Sequence, residues 1–180
     1  MPPNRRRRDR DEKLHEIVAA AADLFTELGF EQSSMTRIAR AAGVTPNTIY
    51  WYVEDKDALL VAALDHLLAD ALRQLDQAPE AANLVDQVLW TLGHLQRRSN
   101  LIGVVHARSE QAEVVANWHE GFHALMDSFV MEGLARQGVP DRELQARARL
   151  TTYAVEGMLA HPTDPATARS VLELVLSPGG

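Results

Sequence analysis

At 180 residues, with no cysteine and a formal charge of -7, the chain is long enough to bury a hydrophobic core, and it excludes a disulfide framework, a thiolate metal site and a cysteine nucleophile. The first residues carry charge without an apolar h-region, and no stretch approaches the roughly eighteen uninterrupted apolar residues of a membrane span, so a soluble, cytoplasmic protein is expected. Residues 1–60 hold nine Lys or Arg against ten Asp or Glu, and the remainder nine against fifteen, so the acid surplus lies mainly beyond the first third. That distribution leaves the first third compatible with a polyanionic partner.

The first ten residues, with arginine at 5, 6, 7, 8 and 10, show no apolar periodicity and are expected to form a disordered basic arm. From Leu14 through Ile17, Val18, Ala21, Leu24 and Phe25 to Leu28, apolar residues recur at three- and four-residue spacing, a helical stripe that Gly29 can end in the left-handed conformation. Ser33 or Ser34 can cap a short helix through Ala42, closed by Gly43. Thr45 followed by Pro46 starts another, to about Val53, because the hydroxyl caps free amides and proline loses no bond at the first helical position. Asp55 can cap a long helix whose leucine stripe runs from Leu59 almost to Pro79.

Helical spacing resumes from Leu84 to Leu95, breaks at Ser99 and Asn100, and returns as a short helix from Leu101 to about Arg108. Val114 to Leu134 mark a long helix stopped by Gly138 and Pro140; Asp141 is expected to cap its successor, and Asp164 with Pro165 to start the last. The expectation is an all-α fold of about nine helices: an N-terminal three-helix domain over 11–57, joined by the long helix to a helical domain over 58–180.

Ser34 to Lys56 carry the most chemistry. Ile38, Ala39, Ala42, Val44, Ile49 and Val53 form an internal face, and the small Ala39 and Gly43 let two short helices cross closely, as a helix-turn-helix requires. The polar residues left outside sort into two groups. Ser34 and Tyr50 offer hydroxyls to phosphate oxygens, and Lys56 adds a charge where a helix N-terminus already favours an anion. Arg37 suits guanine, Asn47 suits adenine, and the carbons of Pro46 and Thr48 suit a thymine methyl.

The stretch SSMTRIARAAGVTPNTIYWYVEDKDALL resembles the reader of the TetR family, the tetracycline-repressor-like regulators, and the likeness covers about residues 14 to 68. It departs from the family pattern at Asn47, where a small residue is usual, and at Val53, where phenylalanine is usual. The resemblance implies DNA contacts by Ser34, Thr36, Arg37, Thr45, Pro46, Asn47, Thr48, Tyr50, Trp51 and Lys56. It further implies a homodimer that binds a palindromic double-stranded operator, in a bacterial cytoplasm at the nucleoid, with the last two helices pairing across a two-fold axis. Ala148, Ala154, Gly157, Ala160 and Ala168 there would let helices approach closely; intrachain packing is the alternative.

In the C-terminal domain, Trp90, Trp118, Phe122, Met126, Tyr153 and Met158 can line an apolar cavity, with His94 or His123 orienting a small-molecule inducer; plain core packing explains the same residues. His119 and His123 lie one helical turn apart, and His94 and His106 on neighbouring helices, but further ligands are not identifiable, so no metal and no cofactor is assigned. No phosphate-binding glycine loop, nucleophile elbow or metalloprotease helix appears, so no enzyme is expected. The reading is a ligand-responsive repressor; the alternatives are an activator, a ligand-independent regulator, or a helical metal-binding protein or enzyme.

Overall fold

The computed structural model of the chain describes residues 3–161 and 163–177, with side chains from residue 10 onward. Its described residues form nine helices and no strand: α1 Pro3–Leu28, α2 Met35–Ala41, α3 Pro46–Tyr50, α4 Lys56–Asp76, α5 Leu84–Gln96, α6 Ser99–Ser109, α7 Glu113–Arg136, α8 Asp141–Ala160 and α9 Pro165–Leu176. The expected punctuation sets most of these limits. Gly29 (φ +83) and Gly43 (φ +66) take the left-handed conformation that a side chain would strain. Ser34 Oγ accepts the Arg37 amide at 3.2 Å, Thr45 Oγ1 the Thr48 amide at 3.3 Å, and Asp55 Oδ1 the Ala58 amide at 2.8 Å.

Four boundaries differ from expectation. α1 begins at Pro3, so the arginine-rich segment expected as a disordered arm continues the helix; arginine is a good helix former and no breaker separates it from Leu14. Its first two residues, and the side chains of arginines 5 to 8, lie outside the described residues. α3 stops at Tyr50, because Tyr52 and Val53 both donate to the Ile49 carbonyl, at 2.8 and 3.1 Å, and pack back on the core. α6 takes in Ser99 and Asn100, which its first turn tolerates. Pro140 holds the N-cap position of α8 with no side-chain bond, while Asp141 sits in the first turn, where it complements the helix dipole.

The chain divides into two compact units that are not consecutive halves. The first comprises Met1–Ala71 with Asn100–Trp118. Its core buries Ile17, Phe25, Ile38, Ile49, Leu59 and Leu60, and α6 and the start of α7 add Leu101, Val105 and Val115. A side chain such as Phe25, wholly removed from water, contributes about 1.5–3 kcal/mol. Ser33 is buried instead of capping α2, with its hydroxyl 2.7 Å from the Gly29 carbonyl and 3.0 Å from that of Leu24.

The second unit comprises Leu72–Ser99 with His119–Gly180. Leu84, Val88 and Leu92 of α5 pack with Val130 and Leu134 of α7, Ala148 and Met158 of α8, and Ala168, Leu172 and Leu176 of α9. Arg169 of α9 reaches Asp86 of α5 at 2.7 Å, and Arg147 of α8 donates to the carbonyls of Val175 and Ser177, at 3.3 and 2.6 Å, where α9 ends.

Two glycines of α7 give opposite expectations for one substitution. A Cβ on Gly121 meets nothing within 4 Å, whereas one on Gly133 falls 2.6 Å from Leu84 Cδ1. Gly121→Ala should raise unfolding free energy by about 0.5–1 kcal/mol through helix propensity. Gly133→Ala should instead lower it by about 1–2 kcal/mol, because overpacking outweighs that gain; urea unfolding of both variants checks the sign.

Candidate nucleic-acid interface

The five-residue α3 is fixed at both ends before any side chain acts. Pro46 sets its first position and Thr45 caps it, the Thr45 hydroxyl also lying 2.9 Å from that of Thr48. Ile49, wholly buried, anchors its inner side among Ile38, Ala39 and the residues of α1 and α4. The outer side is left to Asn47, Tyr50 and Trp51, which line an open surface hollow. Trp51 is 82% exposed and Tyr50 52%, a costly placement for two aromatic rings unless a partner covers them.

Beside α3, α2 presents Thr36 and Arg37 to solvent, as it does the cap residue Ser34. The Ser34 oxygen is engaged by the Arg37 amide, which leaves its hydroxyl proton to donate to an anion. The Arg37 guanidinium rests 3.3 Å from the Gln32 carbonyl, a single contact at the surface. Pro46 and Thr48 are half-buried, and Thr45 is exposed.

Lys56 opens α4 with its ammonium 4.1 Å from the centre of the Phe30 ring. Burial lowers its pKa below the ordinary lysine value, and the charge of Arg108 acts the same way, against Glu31 and Asp57, which raise it. Next to it, Asp57 receives a two-pronged contact from Arg108 at the end of α6: Nε donates to Oδ1 at 2.9 Å and Nη2 to Oδ2. That hydrogen bond raises the guanidinium pKa above its usual range. Arg108 also lies 5.6 Å from the centre of the Phe30 ring, so one aromatic ring meets two cations.

This support was invisible in the sequence. Asp57 and Arg108 stand 51 positions apart, and only the acid in the first turn of a helix gave any signal. Arg10 over the Tyr52 ring, at 5.7 Å, is a further brace of the same kind.

Residues 17–63 match the family described as bacterial regulatory proteins, tetR family, which spans α2, α3 and the turn between them. Over that segment the chain is a TetR-family DNA reader. It is a DNA-binding transcriptional regulator, and its helix-turn-helix is α2 and α3. HbdR of Aromatoleum sp. (strain CIB), an HTH-type transcriptional regulator, is 40% identical over 58 residues, which are 32% of this chain and 25% of HbdR. The fatty acid metabolism regulator protein of Bacillus subtilis (strain 168) is 22% identical over 92% of this chain and 94% of its own. The fold matches a crystal structure of the transcriptional regulator FadR from Bacillus subtilis in complex with stearoyl-CoA, at TM-score 0.62 and 21% identity, over 92% of this chain and 99% of that one.

The residues expected to line an effector cavity fall in different places. Trp118 belongs to the first unit, where its indole donates to Asp65 at 2.7 Å. In the second unit Trp90 stacks on buried His94 with centroids 4.9 Å apart, and Arg98 Nη1 lies 2.6 Å from His94 Nε2. Phe122 meets His123 edge-on at 6.0 Å and Met126 is half-buried. Met158 packs in the core of that unit, whereas Tyr153 is exposed.

Arg108→Ala would leave the largely covered Asp57 carboxylate without its fork, and unfolding free energy should fall by about 1–3 kcal/mol. Asp57→Asn, which keeps a hydrogen-bond acceptor for Arg108, should cost less; urea unfolding of the two variants measures the difference.

Proposed function

We propose that the protein is a dimeric, ligand-responsive transcriptional repressor that reads a palindromic operator with α2 and α3. The observation that carries the reading is the exposed Asn47, Tyr50 and Trp51 surface on a helix held rigid by its cap and by buried Ile49. Ser34, Tyr50 and Lys56 hold register on phosphates, and Thr36, Thr45 and Trp51 add contacts to the backbone. Arg37 and Asn47 read base edges, helped by the carbons of Pro46 and Thr48. In this assignment Lys56 swings from the Phe30 ring to a phosphate.

A single reader makes few contacts, and two related by a two-fold axis address a palindrome. On α8 and α9, Leu150, Tyr153 and Leu174 are exposed, the last by 84%, an apolar set suited to a second copy. Gly157 and Ala160 are exposed and can join that contact, whereas Ala148 and Ala168 are buried inside the second unit and serve intrachain packing.

Effector response is supported by the stearoyl-CoA complex of the Bacillus FadR and by the Arg108–Asp57 fork, which ties α6 to the first turn of α4. An effector that displaces α6 would pull on α4, beside the phosphate-facing Lys56, and so change the seating of the readers. A hundredfold preference for the DNA-incompetent state would weaken operator binding by about 2.7 kcal/mol. The domain reading is a reader over 11–57 and a regulatory domain over 58–180 that lends α6 to the reader.

Fluorescence anisotropy on palindromes upstream of the protein's own gene tests the reading. Trp51→Ala should weaken binding while the melting midpoint holds, and Asn47→Ala should relax preference at one base position by about 1–3 kcal/mol. Tyr153→Glu with Leu174→Glu should yield a monomer with weak operator affinity. A wild-type chain that binds scrambled and palindromic DNA equally would overturn operator recognition, and a reporter silenced by deleting the gene would make the protein an activator.

A further inference from the structure

Three metal-ligating side chains of the second unit converge where α7 meets α8. His119 and His123 lie one turn apart on α7, with Nε2 atoms 2.9 Å from each other and rings at 89°. Glu156 of α8 brings Oε1 to 3.1 Å from His123 Nε2, and its carboxylate lies within 4.8 Å of the ligand nitrogen of His119. The meeting follows from helix register. One turn beyond His123, Asp127 accepts from Thr152 at 2.7 Å and pairs with Arg149 at 3.1 Å, and Thr152 lies one turn before Glu156 on the antiparallel helix. The sequence offered two imidazoles without a third ligand; the packing of α8 supplies it.

Hydrogen bonding fits this group poorly. His123 Nε2 faces both another ring nitrogen and a carboxylate, and a single N–H there cannot serve both well. A cation placed among the three atoms satisfies all of them. Two imidazoles with one carboxylate suit borderline transition ions rather than calcium or magnesium.

We propose that His119, His123 and Glu156 bind one divalent first-row transition ion of the borderline class. The ion bolts α7 to α8, and its positions beyond the three protein ligands stay open to water or to an oxygen-donor chelate. The site does not depend on the repressor reading, because its ligands are read from geometry alone.

The test uses the full chain, stripped with a chelator and titrated with Co2+ alone. The wild type should bind one equivalent with a visible ligand-field band, and Ni2+ should raise its melting midpoint. Glu156→Gln and His119→Ala should each weaken Co2+ binding by more than the roughly 10–100-fold that loss of an outer partner costs. His161→Ala, outside the cluster, should bind as the wild type does. If His119→Ala does not fold by circular dichroism, the near-isosteric Glu156→Gln decides. No band in the wild type, or an unchanged band and affinity in Glu156→Gln, would overturn the proposal.

Discussion

Leu101 and Val105 come from a helix well down the chain, yet they are buried in the core that holds α2 and α3 together. The reader depends on that burial. A three-helix domain of this size has little apolar surface to hide, and each added aliphatic side chain counts for about 1.5–3 kcal/mol. The Arg108 fork on Asp57 repeats the tie in polar form, from the last turn of α6 to the first turn of α4. α6 is thus a structural part of the reader, and a displacement of α6 is a displacement within the reader's own core.

Much of this fold was legible because it is written in local rules. Glycines at 29 and 43, the Thr45-Pro46 start and the Asp164 cap act within a few residues, so the helix limits they set could be read directly. The inner face of the helix-turn-helix was legible for the same reason, since Ile38, Ala39 and Ile49 follow helical spacing. Ser33 and Ser34 were not separable, because which serine caps depends on where α1 ends in space; the structure buries one and caps with the other. Pro140 at a cap position likewise gave no signal, as it has no side-chain acceptor to offer.

Contacts distant in sequence were beyond local rules. The pairing of Asp57 with Arg108 and that of His123 with Glu156 require the packing of whole helices to be known first. Lys56 illustrates the effect on a candidate site. Its place at a helix start suggested a solvent-facing charge, but Phe30 and Arg108 meet it there, and the ammonium is partly desolvated on an aromatic face. Its electrostatics are set by the tertiary neighbours rather than by the local helix end. The chain's overall acidity is equally uninformative about the reader, whose exposed face carries Arg37, Arg40 and neutral polar groups.

The central claim is that α6 completes the DNA reader, although it lies outside the residues 17–63 that carry the family match. Hydrogen exchange of the α3 amides in a Leu101→Ala, Val105→Ala double variant, read beside operator affinity, tests it most directly. The account predicts faster exchange at Ile49 and its neighbours and weaker operator binding. Unchanged α3 protection with unchanged affinity would contradict it.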